Sequence, residues 1–426
     1  MVEASGKVDR RAYYGLAILV VVYTLNFIDR QIINILLPSI QSELLINDKQ
    51  AALLAGSLFA VFYATLGIPI ATIADRGNRR NLISWALLIW SGMTALCGMA
   101  QNFLQLGLAR IGVGVGEAGC SPPAHSMISD YFPPRQRATA LGVYSLGISL
   151  GIMFGLFIGG KIDELYGWRM AFLIVGIPGV LLALIFRLTV WEPPRGHSEA
   201  KASAVERPSV LRTFEFMFRR RSFIHLSIGA ALSAFTGYGV VTFFPTFLVR
   251  SHSMPTSEIG LWLGLILGLA GGAGIFFGGL ASDRVGLTDA RWKLWTVVVA
   301  VVVSVPFSVA VYFIDNPYIV LGVFVVPAFL SNFYQATSFA QTQSLANLRM
   351  RGVAAAVLLL IINIIGLGVG PLAVGALSDF LAPVYGAESM RYALLSLTLV
   401  SLWSAWHFYR AGVFLPEDLK RADDPV

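Results

Sequence analysis

Charge is scarce in this sequence. Of its 426 residues only 13% are charged, against about 25% in soluble globular domains, while 56% are hydrophobic and the mean hydropathy is +0.71. A chain so poor in charge is not expected to fold in water alone. Cysteine is nearly absent: Cys97 and Cys120 each lie inside an apolar span, which excludes a disulfide framework. Ten-residue segments of alternating polarity, the mark of barrel strands, are missing, and the apolar runs are long and continuous, as in helices. There are no long basic blocks to hold nucleic acid, although the formal net charge is +7. No cleavable leader is expected, because the first apolar run is too long and lacks a small-residue cleavage pattern near its end.

What the chain does have is about twelve apolar stretches near the length of roughly 20 residues that a membrane helix requires. They cover 13–40, 51–74, 82–99, 103–127, 138–160, 168–191, 223–248, 259–281, 294–314, 318–340, 353–377 and 392–409. The sequence therefore reads as an all-α integral membrane protein. Basic residues collect before the first span (Lys7, Arg10, Arg11) and after every even-numbered one, for example Arg76, Arg79 and Arg80, Arg135 and Arg137, Arg207 to Arg221, Arg284, and Arg349 and Arg351. Since basic loops stay inside, both termini are expected in the cytoplasm of a multi-pass cell-membrane protein. The polar stretch 193–222, with a short surface helix expected around 210–218, separates a six-helix bundle at 1–192 from another at 223–426.

The two halves repeat each other. Ala74-Asp75-Arg76 follows the second span and Ser282-Asp283-Arg284 the eighth. Arg135-Gln136-Arg137 precedes the fifth and Arg349-Met350-Arg351 the eleventh, and those spans close alike, Gly159 to Asp163 and Gly375 to Asp379. A six-span repeat is the construction of a rocking transporter with its site between pseudo-symmetric halves.

These residues resemble the major facilitator superfamily along essentially the whole chain. Its signature after the second span, G-x-x-x-D-R-x-G-R-R, stands here as Ala71, Asp75, Arg76, Gly77, Asn78, Arg79 and Arg80, with Ala for the first Gly and the second Gly displaced by one. The R-x-x-x-G of the fourth span is Arg110 and Gly114, and the fifth carries Gly147, Gly151, Gly155, Gly159 and Gly160. Within the superfamily the chain is similar to the spinster branch, through Asn26-Phe27-Ile28-Asp29-Arg30, Gly114-Val115-Gly116-Glu117-Ala118 and Asp130-Tyr131-Phe132-Pro133-Pro134. The resemblance implies movement of sphingoid or lysophospholipid-like lipids, driven or modulated by protons.

Asp29 and Arg30 interrupt the first apolar span. A charge near mid-helix costs at least about 2.5 kcal/mol to insert, so it faces a polar interior and has a partner or a task. A buried pair that merely locks helices is the plain reading, and a proton or ion relay the functional one. Arg110, Gly114, Glu117 and Ser121 share one face of the fourth span. Arg110 and Glu117 are about 10 Å apart along the axis, too far to pair easily. Asp29 and Arg110 reach similar depths, which predicts Asp29 facing Arg110, with Arg30 near and Glu117 closer to the cytoplasm. Asp29 and Glu117 are the expected proton-coupling residues. Substrate contact or charge pairing is expected at Arg30, Arg110, Tyr238, Asn332 and Asn363, and a cytoplasmic gate at Asp75, Arg76, Arg79, Arg80, Asp283 and Arg284.

An amphipathic substrate suits this asymmetry, its headgroup near the charges of the first half and its tail near Phe235, Phe243, Phe244, Phe329 and Phe333 of the second. Export of drugs or organic anions is the alternative, and a non-transporting receptor remains open. No nucleophile with a base and no cluster of His, Asp and Glu ligands is visible, so neither an enzyme nor a metal or other cofactor is expected. The expected partners are the substrate, protons and the bilayer, with the protein a monomer.

Overall fold

The computed structural model describes residues 8–196, 210–347 and 350–421. Lys7, Arg207 and Arg349 of the charge pattern fall outside them, as do the side chains of 71–76 and hence those of Asp75 and Arg76. Regular structure among the described residues is entirely helical. In chain order the helices are α1 (Arg10–Leu44), α2 (Asp48–Ala52), α3 (Leu58–Arg76), α4 (Arg79–Cys97), α5 (Phe103–Glu117), α6 (Ser121–Tyr131), α7 (Pro134–Tyr166), α8 (Trp168–Thr189) and α9 (Val210–Phe218). They continue as α10 (Arg221–His252), α11 (Thr256–Leu265), α12 (Gly271–Val285), α13 (Trp292–Val311), α14 (Pro317–Leu330), α15 (Phe333–Leu345), α16 (Arg351–Ile362), α17 (Gly370–Tyr385) and α18 (Ser389–Lys420). Wider π-helical turns at Leu53–Ser57, Ile266–Ala270 and Asn363–Val369 join α2 to α3, α11 to α12 and α16 to α17.

Each of the twelve expected spans is a helical pass. Among the described residues nine segments are long and apolar enough to cross a membrane, Arg351–Lys420 counting as one although it holds two passes. The third pass, α4, and the fourth, α5 with α6, miss that measure; the fourth is broken between Glu117 and Ser121 and carries the buried charges. Large apolar side chains such as Leu108, Leu181, Phe276 and Leu399 are exposed. That surface is at home in lipid rather than water.

The chain divides into two compact units, Met1–Ile46, Leu53–Ala204 and Pro255–Gly264 in the first and Asn47–Ala52, Val205–Met254 and Leu265–Val426 in the second. The boundary falls inside 193–222, and two short segments belong to the unit opposite their place in the sequence. Both follow a non-glycine residue in the left-handed region, Leu45 at φ 53° and Ser253 at φ 52°. Such residues are uncommon. The separation of Leu45 and Ser253 equals that of Asp75 and Asp283, so the repeat extends to the backbone.

In the first unit α1 lies along α7, where Gly147, Gly151, Gly155 and Gly159 recur every fourth residue under Tyr23, Phe27, Ile28 and Ile32. A Cβ on Gly155 would stand 3.1 Å from the Ile28 Cα, so the absence of side chains is what lets the backbones approach. In the second unit Phe223, Leu226 and Ala230 of α10, Leu294 and Val297 of α13, Leu358 of α16 and Phe408 of α18 form the core. The short surface helix expected near 210–218 is present as α9, with Arg212, Phe214 and Glu215 exposed on one side and the other side packed. Phe216 and Met217 enter that core and Thr213 is fully buried, because α9 puts one apolar face onto α10 and α16.

At the end away from the basic loops, the start of α2 is held inside the second unit. Asp379 of α17 accepts the Asp48 and Lys49 amides at 3.0 and 2.9 Å, as a carboxylate caps a helix N-terminus. Arg250 donates two bonds to the Asp48 carboxylate, at 2.8 and 2.7 Å, and Ser378 a third at 2.6 Å. In the first unit Asp163 accepts from Ser39 at 2.7 Å and lies against Thr256, the first residue of α11.

Candidate functional site

Four charged residues of the first unit are buried together: Asp29 and Arg30 in α1, Arg110 and Glu117 in α5. Consecutive helical residues point about 100° apart, so Asp29 and Arg30 leave α1 in different directions. Arg30 turns to Glu117, its Nη2 2.6 Å and its Nε 3.2 Å from Oε2. The Glu117 side chain is fully buried and that of Arg30 is 10% exposed. Around the guanidinium stand the rings of Phe27, Phe59 and Tyr63, each 4.8 to 4.9 Å from it. These faces attract a cation but carry no net charge, so Glu117 supplies the neutralisation.

Asp29 turns toward Trp90 and Thr94 of α4 and within electrostatic reach of Arg110 and Glu117. Its Oδ1 has no hydrogen-bond partner. Arg110 is wholly buried and is held by main-chain carbonyls, Nε to Leu54 at 3.1 Å and Nη1 to Asp29 at 3.3 Å. Leu54 lies in the first π-helical turn, where the extra residue per turn withdraws a carbonyl from the regular ladder. The facing of Asp29 and Arg110 inferred from depth is therefore a contact to the Asp29 backbone with the carboxylate nearby, and the direct ion pair is Arg30 with Glu117.

The second-unit candidates do not converge to the same extent. Tyr238 packs beside Gly366, in the π-helical turn that begins with Asn363, itself 9% exposed. Asn332 stands in the break between α14 and α15 and donates to the Ala328 carbonyl at 2.8 Å, serving its own helix end. Thr337, Ser338, Gln341 and Thr342 line one face of α15 with buried oxygens that lack partners.

Of the expected gate, Arg79 and Arg80 are built into a network. Fully buried Arg79 pairs with Asp130 and, at 2.8 Å, with Glu192, and it donates to Ser126 at 2.9 Å and to the Pro193 carbonyl at 2.6 Å. The Arg80 amide donates to Glu192 at 2.7 Å. Burial alone would lower the Arg79 pKa; the bonds to Asp130 and Glu192 outweigh it and hold the guanidinium above its ordinary value. Asp283 and Arg284 are exposed at the end of α12. From the sequence Asp130 was marked only as part of the spinster-like motif and Glu192 not at all, although each opens a turn into proline, at Asp130 to Pro134 and Glu192 to Pro194. Asp48 and Arg250 gave no signal beyond the repeat that marks Asp379.

The chain that carries this helical repeat and these buried charges matches the family model of the Major Facilitator Superfamily over residues 19–371. The chain belongs to the Major Facilitator Superfamily. It is 34% identical over 411 residues, 95% of each chain, to an MFS-type efflux pump of Mycolicibacterium smegmatis. It is 27% identical to human protein spinster homolog 1, covering 98% of this chain and 84% of that one. Among solved structures it is similar to a bacterial homolog of the human lysosomal transporter Spinster in an inward-facing, unoccupied conformation, with TM-score 0.88, 32% identity, and 97% and 99% of the two chains covered. This facilitator is thus spinster-like, a multi-pass membrane transporter, as its first and fourth passes led one to expect.

Proposed function

We propose that this facilitator is a proton-coupled secondary transporter of an amphipathic, lysolipid- or sphingoid-like substrate, working by alternating access with both termini in the cytoplasm. The observation that carries the coupling is the Arg30–Glu117 pair with Asp29 beside it. A proton arriving on Glu117 cancels its charge and removes its ionic bond to Arg30, whose guanidinium also stands among three aromatic rings. Asp29, with one oxygen unpartnered, is the second carboxylate able to take that proton. Proton binding and the arrangement of α1 against α5 are then linked by one charge pair.

The pairing bears on substrate class. Export of organic anions would draw on Arg30 and Arg110, yet Arg30 is neutralised by Glu117 and Arg110 is buried on main-chain carbonyls. An amphipathic substrate is favoured over an anion. Efflux of amphipathic drugs is the second reading, supported by the 34% identity to the mycobacterial pump.

The test is transport in proteoliposomes, with and without an imposed pH gradient, of a fluorescent lysophospholipid and of ethidium. Wild type is compared with Asp29→Asn and Glu117→Gln. Gradient-dependent flux that disappears in both variants is the expected result. Gradient-driven flux surviving in both removes the coupling assignment, and ethidium moving while the lysolipid does not selects drug efflux.

A further inference from the structure

The fourth pass breaks directly below Glu117. Pro122 and Pro123 have no N–H to give the carbonyls of Ala118 and Gly119, so α5 ends at Glu117 and α6 starts at Ser121 after a tightened turn. Glu117, Ser121 and His125 nevertheless follow one another at four-residue intervals along the pass. Between His125 and the basic end of α6 at Tyr131 lies about 9 Å of helix.

Two phenols close over this break. Tyr23 of α1 and Tyr144 of α7 stack with centroids 4.2 Å apart and 11° between planes. The Ser121 hydroxyl lies against both phenols, and the Cys120 thiol lies against Tyr144. His125 meets Tyr144 edge-on at 5.4 Å. His125 is exposed, whereas Tyr144 is wholly buried. The Tyr144 hydroxyl has no hydrogen-bond partner, and neither has Glu117 Oε1. An unsatisfied buried hydroxyl costs about 1–3 kcal/mol, and a phenylalanine would stack on Tyr23 without it. The hydroxyl therefore asks for a use.

We propose that Ser121, Tyr144 and His125 form the proton route between Glu117 and water at the basic end of the fourth pass. The inference rests on the proton-coupled reading above. In the releasing direction the carboxylic acid of Glu117 gives its proton to a hydroxyl oxygen of the chain, and each hydroxyl passes on its own. The imidazole of His125 takes the last proton, becomes imidazolium, and yields it to water; Glu117 is left a carboxylate beside Arg30 and the hydroxyls are unchanged. The titratable and charged groups along the path are Tyr23 and Arg30 from α1, Tyr63 from α3, Tyr144 from α7, and Glu117 and Cys120 of the pass itself.

The experiment uses the full chain in proteoliposomes containing a pH dye, with fluorescent lysophospholipid and ethidium as probes. Gradient-driven flux is measured beside counterflow at equal pH on both sides, which needs no net proton movement. Tyr144→Phe, which keeps the ring stack, and His125→Asn are each expected to slow gradient-driven flux at least tenfold, leave counterflow within twofold of wild type, and alter the pH profile of the driven rate. Driven flux at the wild-type rate and with the wild-type pH profile in both variants overturns the route. So does an equal loss of driven flux and counterflow, which would assign these residues to substrate passage or packing. A wild-type protein whose flux ignores the gradient for both probes removes the coupled reading and the route with it.

Discussion

Replacing Glu117 by Gln tests whether the ion pair is as interdependent as its burial implies. Glutamine has the shape of glutamate and retains an oxygen that can accept from Arg30, so packing is preserved and only the charge is lost. The three aromatic contacts to Arg30 are the same before and after and offset nothing. What remains is a cation with little access to water, the situation for which removing one partner of a buried pair costs about 3–5 kcal/mol. Because the Arg30 side chain keeps 10% exposure, the lower end, about 3 kcal/mol, applies. At roughly 2–4 °C per kcal/mol for units of some 200 residues, the variant should unfold about 6–12 °C below wild type. Arg30→Met alone should also be destabilised, whereas the double variant leaves no unpaired charge from this pair and should recover most of the loss, giving a coupling of about 2–3 kcal/mol. The assay is thermal unfolding in detergent, followed by tryptophan fluorescence, for all four proteins at one pH. A Glu117→Gln variant within about 2 °C of wild type, or a double variant as unstable as the sum of the singles, refutes the reasoning.

Arg79→Met removes both ionic contacts to Asp130 and Glu192, but each carboxylate keeps an amide donor, Gly196 for Asp130 and Arg80 for Glu192. The expected loss is about 2–3 kcal/mol by thermal unfolding, and Arg79→Lys should recover less than half of it, since an ammonium cannot reproduce the fork. The elevated pKa of Arg79 means its contribution is complete below about pH 12, so the Met-minus-wild-type difference should not change with pH between 6 and 9 through Arg79 itself. Gly151→Val places a branched side chain where Phe27 of α1 already sits, and should cost more than about 3 kcal/mol or abolish folded protein on size-exclusion chromatography. Gly142→Val, a position on the same helix with open space, serves as its tolerated control.

How much was legible in the sequence differs between fold and site. Apolar run lengths gave every pass, and the paired Asp-Arg and Gly-to-Asp markers gave the repeat, because both depend on local composition alone. Depth along each helix was legible too: Asp29, Arg30, Arg110 and Glu117 do meet. Which of them bond was not. Asp29 and Arg30 have nearly the same depth and differ in direction, and direction follows from how α1 rotates onto the glycine stripe of α7. The carbonyl of Leu54 that holds Arg110 exists only because of a π-helical turn that carries no sequence mark. Asp130, in the last turn of α6, and Glu192, just after the end of α8, are brought to Arg79 by the packing of these helices, a tertiary fact.

The exchanged segments bear on how such a chain can be completed during synthesis. Residues 47–52 emerge early, yet Arg250 is made some two hundred residues later and Ser378 and Asp379 near the end. The start of α2 must wait for Arg250 and then, for the cap on its amides, until α17 arrives. Conversely, α11 finds its site on α7 already built. The last steps of folding are thus assigned to the second unit, and a ribosome stalled before α17 leaves a protein whose first half is packed while its own second helix still lacks the carboxylate meant to hold it.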